Sequence, residues 1–209
     1  MSIEERDDPS LSFGPERLAA ISDGIFAVAL TLLIVDVKPP DVSVSHLTGA
    51  LIATAPRLGI FALSFAIVAY YWVVHHLTYA YVRVADRGLL WANLLFLFTI
   101  VVLPFSAAVL GRYPLAAPSL IVYGSNLACC SITLGLSWWY ASRAHLLANV
   151  NPSQARYIAR RFAFAPTLAV LGAALAGVLP LVSLALFFAV PVLYALTSGS
   201  IRKNKRAAK

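Results

Sequence analysis

The sequence predicts an all-α, polytopic membrane protein with six transmembrane helices per subunit and both termini in the cytoplasm. Three observations carry that prediction. Of 209 residues, 60% are hydrophobic and only 12% are charged; soluble domains hold about 45–50% and about 25%. The mean hydropathy is correspondingly high, +0.81. Apolar stretches close to the ~20 residues that a membrane helix needs recur along the chain. Finally, threading six of them through a bilayer sorts the basic residues strongly to one side.

The first span is Arg17 to Val37, closed by Lys38-Pro39-Pro40, where proline removes a backbone donor and ends the helix. The second runs from Pro56 to Val82. The third is Gly88 to Leu110, with Pro104 near its outer end. The fourth is Ala117 to Tyr140. The fifth starts near Arg161 and ends near Leu179, and the sixth runs from Pro180 to Leu196. The tight joint Leu179-Pro180 makes the last two a helical hairpin. Three regions follow: a polar cytoplasmic segment (1–16), a transmembrane domain (17–197) and a basic cytoplasmic tail (198–209). The first ten residues are acidic and polar, which is not the basic, then apolar, pattern of a cleavable signal peptide.

With the N-terminus inside, thirteen basic residues fall on the cytoplasmic side: Arg6, Arg17, Arg83, Arg87, Arg143, Arg156, Arg160, Arg161, Arg202, Lys203, Lys205, Arg206 and Lys209. Only Lys38, Arg57 and Arg112 fall outside. Cytoplasmic loops carry an excess of Lys and Arg, so an even number of spans is expected. The same bias accounts for the net charge of +7, and no nucleic-acid partner is needed to explain it. The tail can touch anionic lipid headgroups, but a topology signal already accounts for it.

Several function classes find no support in the sequence. There is no phosphate-binding glycine loop, no nucleophile elbow and no metalloprotease motif. We therefore expect no enzyme, no cofactor and no metal site. Cys129 and Cys130 are adjacent on one span, about 100° apart on a helix, and read as small packing residues rather than a disulfide.

The informative feature is a polar cluster opening the first span: Arg17, Ser22 and Asp23, followed by an uncharged run from Gly24 to Val35. A carboxylate at the centre of a membrane helix costs roughly 2.5–3.5 kcal/mol on insertion scales, so it persists where it has a partner or a task. At about 100° per residue, Val28, Leu32 and Val35 share one stripe, with Thr31 at its edge about 60° away. Ser22 and Asp23 fall about 120° and 140° from Val28, on opposite sides. Asp23 lies roughly 9 Å inside the cytoplasmic end of the first span. His75 and His76 lie at a matching depth on the second span. We expect Asp23 to pair with one of them, with Ser22 and Trp72 close by. Such a cluster can pin two helices together or handle protons. The apolar stripe is compatible with ordinary packing or with a pore lining.

The order Arg17-Leu-Ala-Ala-Ile21-Ser22-Asp23-Gly24, then Phe26-Ala27-Val28-Ala29 and Thr31-Leu32-Leu33, resembles the Arg-x-x-x-Phe-Ser-Asp signature of one potassium-channel family. It is the family of the lysosomal channel called transmembrane protein 175 and its prokaryotic homologues. Tyr71-Trp72-Val-Val-His75-His76 resembles the family's Trp-x-x-His element. One departure is Ile21, where the signature has Phe. The resemblance implies a homotetramer of six-helix subunits in the prokaryotic plasma membrane, around a central K⁺-permeable pore lined by helix 1. It places an apolar constriction on Val28, Leu32 and Val35, with Thr31 supplying a hydroxyl layer, instead of a carbonyl filter. It makes Arg17, Ser22, Asp23, Trp72 and His75 or His76 a network supporting that helix. An apolar constriction gates by dewetting and favours the more weakly hydrated K⁺ over Na⁺. The alternative is a proton-conducting or proton-coupled transporter using Asp23 and His75 or His76 as a relay.

Overall fold

The computed structural model describes residues 14–148, 150 and 152–207, with side chains described outside 152–163 and 194–207. The N-terminal segment to residue 13 and the last two residues of the basic tail lie outside the described residues. So do the side chains of the tail and of Arg156, Arg160 and Arg161. Six helices follow one another: α1 Pro15–Leu32, α2 Val44–Tyr79, α3 Arg87–Arg112, α4 Ala117–Arg143, α5 Pro152–Leu175 and α6 Pro180–Ala207. No strand is found among the described residues, only isolated bridge positions such as the pair Val82 and Leu147.

Helices α3, α4 and the hairpin of α5 and α6 pack in sequence, while α1 lies at one side against α2 and α3. Where a helix pair must come close, a glycine makes room. A Cβ on Gly172 would sit 2.5 Å from the ring of Phe187, which is fully buried and packs edge-on against Tyr123 at 5.4 Å. Hydroxyls also tie helices across the core. Tyr71 of α2 donates to the Leu127 carbonyl of α4 (2.8 Å) and meets Ser131 (2.7 Å), and Ser64 meets Tyr123 at 3.0 Å. Such bonds satisfy polar groups where lipid and apolar side chains cannot.

The two ends of the bundle are distinct. At one end Leu18 of α1 packs with Tyr79, Val82, Ala85, Leu89 and Ala141, so the start of α1, the end of α2, the start of α3 and the end of α4 meet there. Asp86 caps α3 by accepting from the Leu89 amide (2.8 Å) and also accepts from the Tyr140 hydroxyl (2.7 Å). The loops after α2 and α4 join by two backbone bonds, Arg83 to Leu146 (2.9 Å) and Ala148 to Tyr81 (2.8 Å). At the other end, the chain leaving α1 meets α2 near Arg57 and α3 near Gly111.

Helices α2, α3 and α4 are each long and apolar enough to cross a membrane, and Phe164–Leu175 and Pro180–Leu193 are shorter apolar helices. Four boundaries differ from expectation. Helix α5 begins at Pro152, about two turns before Arg161. Helix α1 ends at Leu32, not Val37; turns follow, with Val35 donating to Leu32 (3.2 Å) and Val37 to Ile34 (3.0 Å). β-Branched Ile34, Val35 and Val37 weaken the helix here, and the residue before Pro39 is pushed out of the α region. Helix α2 begins at Val44, twelve residues before Pro56, which it carries inside. Its 36 residues span about 54 Å, well beyond the ~30 Å hydrocarbon core. Helix α6 continues through the tail to Ala207 rather than stopping near Leu196. Cys129 and Cys130 are free thiols, as expected.

Candidate functional site

Helix α1 presents two faces of opposite character. Leu18, Ser22, Phe26, Ala29 and Leu33 are buried against α2 and α3. On the opposite side Ile21, Val28, Leu32 and Val35 are 52%, 57%, 46% and 65% exposed. Gly24 and Thr31 are exposed as well, and a Cβ on Gly24 would meet nothing within 4 Å. The stripe expected from the helical wheel is therefore the surface that the subunit leaves uncovered. Val35 keeps that exposure although it stands in the turn beyond α1. The Thr31 hydroxyl donates to the Val28 carbonyl at 2.8 Å. With its hydrogen committed to the backbone, the oxygen offers lone pairs, which suits a cation.

The polar cluster divides into two parts, because Ser22 and Asp23 point about 100° apart. Ser22 faces inward, with no exposed surface, and Asp23 faces outward. The inward part is a chain of hydrogen bonds through three helices. His75 Nε2 donates to Asn93 Oδ1 (2.9 Å), Asn93 Nδ2 donates to Ser22 Oγ (3.1 Å), and Ser22 donates to the Leu18 carbonyl (2.8 Å). The amide orientation of Asn93 places the proton on His75 Nε2. The imidazole is 2% exposed and held between rings. Tyr79 stacks on it at 4.0 Å and Phe96 at 5.5 Å, while Phe26 tilts against it at 5.8 Å.

The outward part is a single bond. Trp72 Nε1 donates to Asp23 Oδ1 at 2.8 Å, and the Trp72 ring lies 5.9 Å from that of His76. The expected Asp23–histidine pair is thus replaced by an Asp23–Trp72 pair. Trp72 and His76 are one turn apart on the exposed side of α2, whereas His75 is buried. The carboxylate takes the donor on its own side. Arg17 is exposed, and among the described residues its guanidinium has no bonded partner within the chain. The depth match between the first two spans is nevertheless real, since both parts join α1 to α2 at that level.

Asn93 is the member that the sequence reading missed. Its signal was present: it is an amide about six residues into an apolar span, at the same depth as Asp23 and His75. No group of His, Cys, Asp or Glu among the described residues is arranged to hold a metal.

A bundle of apolar helices that leave large apolar side chains exposed on their outer faces, α1 among them, and that are tied inside by buried polar bonds has the design of an integral membrane protein. Comparison with known proteins agrees. Residues 17–104 match the family model described as the endosomal/lysosomal potassium channel TMEM175. A potassium channel of Streptomyces collinus is 34% identical over 154 residues, covering 70% of this chain and 75% of that protein. The human endosomal/lysosomal proton channel TMEM175 is 30% identical over 150 residues, covering 66% of this chain and 30% of its own length. The crystal structure of a lysosomal potassium-selective channel TMEM175 homolog from Chamaesiphon minutus superimposes with a TM-score of 0.79 at 27% identity, covering 88% of this chain and 97% of that one. The chain belongs to the TMEM175 family.

Proposed function

We propose that this protein is a potassium-permeable cation channel that assembles as a homotetramer in a prokaryotic plasma membrane. Each subunit crosses six times with both termini in the cytoplasm. The bare face of α1 turns to the fourfold axis, so that Val28, Leu32 and Val35 form an apolar constriction and Thr31 a hydroxyl layer beside it. K⁺ is the permeant species, with no cofactor and no catalytic role. The single observation that carries this reading is the exposure of those side chains on a helix whose other face is sealed. One subunit cannot enclose an ion path with one helix face; copies related by a closed rotation can.

The placement of the arginines along the bundle supports this topology. Arg17, Arg83, Arg87 and Arg143 belong to the bundle end marked by Leu18, and Arg57 and Arg112 to the opposite one. That segregation fits the positive-inside rule. The proton alternative fits less well. A relay needs groups that pass protons, and here Asp23 bonds an indole while His75 bonds an amide. Because the human relative is a proton channel, H⁺ belongs in the test. Protein reconstituted into liposomes should pass K⁺ faster than Na⁺ under opposed gradients, with a reversal potential that follows K⁺. A reversal potential that follows the pH gradient instead would favour the transporter reading.

A further inference from the structure

The chain leaving α1 carries a carboxylate, Asp36, directly after Val35. Asp36 lines a small open cleft with Leu33 and Val37 on one side, Arg57 and Phe61 of α2 on another, and Gly111 of α3 beyond. The cleft therefore holds one anionic and one cationic side chain in an otherwise apolar wall. No direct ion pair joins these two residues, and neither makes a side-chain hydrogen bond among the described residues. Other cations nearby are differently placed. Lys38 stands two residues on, its amide closing a turn on the Asp36 carbonyl at 3.1 Å. Arg112 holds its guanidinium over the Tyr113 ring at 5.8 Å. Asp41, further along the connection, is exposed.

We propose that Asp36 and Arg57 are positioning residues for the ion path: a solvent-bridged pair that fastens the outer end of α1 to α2 and so fixes how far Val35 and Leu32 reach toward the axis. This rests on the channel reading above. The need for such a fastening is physical. Helix α1 has ended at Leu32; Leu33 is still anchored in the core, but the backbone of residues 34–37 runs through turns, with i→i+3 bonds of 3.2 and 3.0 Å. Without a tie, the outermost collar residue would hang on a short frayed segment. Opposite charges attract across a water layer, and bridging waters transmit nearly a full hydrogen bond. The apolar wall formed by Leu33, Ile60 and Phe61 limits screening on one side.

The test is a double-mutant cycle in proteoliposomes with Asp36→Asn, Arg57→Gln, the double variant, and the swap Asp36→Arg with Arg57→Asp. K⁺ flux, the K⁺/Na⁺ ratio and the melting midpoint of the assembly are read from each preparation. Each single variant should change K⁺ flux in the same direction by up to about threefold, the upper range for an exposed pair of opposite charges. The double should match the singles instead of multiplying them, and the swap should return flux and ratio toward wild type. Lys38→Gln should do none of this. Independent effects in the double, or a swap no better than the singles, would overturn the proposal. If the wild type passes no K⁺, the channel reading fails; the pair is then decided by whether the swap restores the melting midpoint lost in the singles.

Discussion

Asn93→Ala is the substitution that most directly probes how α1 is braced. It deletes two interhelical bonds at once, His75 to Asn93 (2.9 Å) and Asn93 to Ser22 (3.1 Å). In membrane proteins such bonds average about 0.6 kcal/mol and reach about 1.7. Two average bonds give roughly 1.2 kcal/mol. The partners then differ in what they keep. Ser22 retains its bond to the Leu18 carbonyl (2.8 Å), so its hydrogen stays satisfied. His75 has no such reserve. Its Nε2–H is left facing apolar rings, and a stranded buried donor costs about 1–3 kcal/mol. The stranded donor dominates, so we expect a loss of about 1–3 kcal/mol per subunit. Ser22→Ala leaves His75 paired but strands the buried Asn93 Nδ2–H in turn, so a loss of about 1–3 kcal/mol is expected there as well. The assay is the thermal midpoint of the purified assembly by size-exclusion chromatography, with K⁺ flux from the same preparation. An Asn93→Ala protein that melts with the wild type, alongside a Ser22→Ala protein that does not, would refute the reasoning.

Other outcomes follow from single side chains. Leu32→Ser should raise cation leak and lower K⁺/Na⁺ discrimination with little loss of stability, since Leu32 is 46% exposed within its subunit; Leu33→Ser, at 5% exposure, should instead destabilise by roughly 2–5 kcal/mol. Flux and melting measured on both variants separate the two. Gly172→Ala should destabilise the hairpin, because its new Cβ would meet the Phe187 ring at 2.5 Å. Pairing it with Phe187→Leu should recover part of the loss in the same melting assay. Asp23→Asn should keep cation selectivity while shifting assembly stability or gating. Unchanged stability with lost selectivity would put Asp23 in the ion path. Tags at the two ends of the chain should both be protected from external protease in intact cells, and digestion of either would contradict the six-span topology.

The sequence made most of the helix plan legible and misplaced some of its ends. The apolar runs of α3 and α4 are bounded by charges and by Ala-Ala-Pro, and their limits agree with the structure to within a few residues. The limits of α1 and α2 do not, because proline was read too simply. Pro56 lies inside α2, and α1 unwinds among β-branched residues well before Pro39. The bare stripe on α1 was legible because helical periodicity survives any tertiary context. Its partner assignment was not. Matching depth brings α1 and α2 to the same level, but only packing decides which side chain turns inward. Ser22 and His75 turned in and found Asn93; Asp23 turned out and found Trp72.

The central claim is that ions pass along the exposed face of α1. It is tested most directly by placing one thiol at Leu32 and another at Leu33, in a background with Cys129 and Cys130 replaced by alanine, and measuring K⁺ flux before and after a charged thiol reagent. Modification of Leu32→Cys should block or sharply reduce the flux, and Leu33→Cys should be inert because the position is buried. Full flux through modified Leu32→Cys channels, or block at Leu33→Cys alone, would contradict the claim.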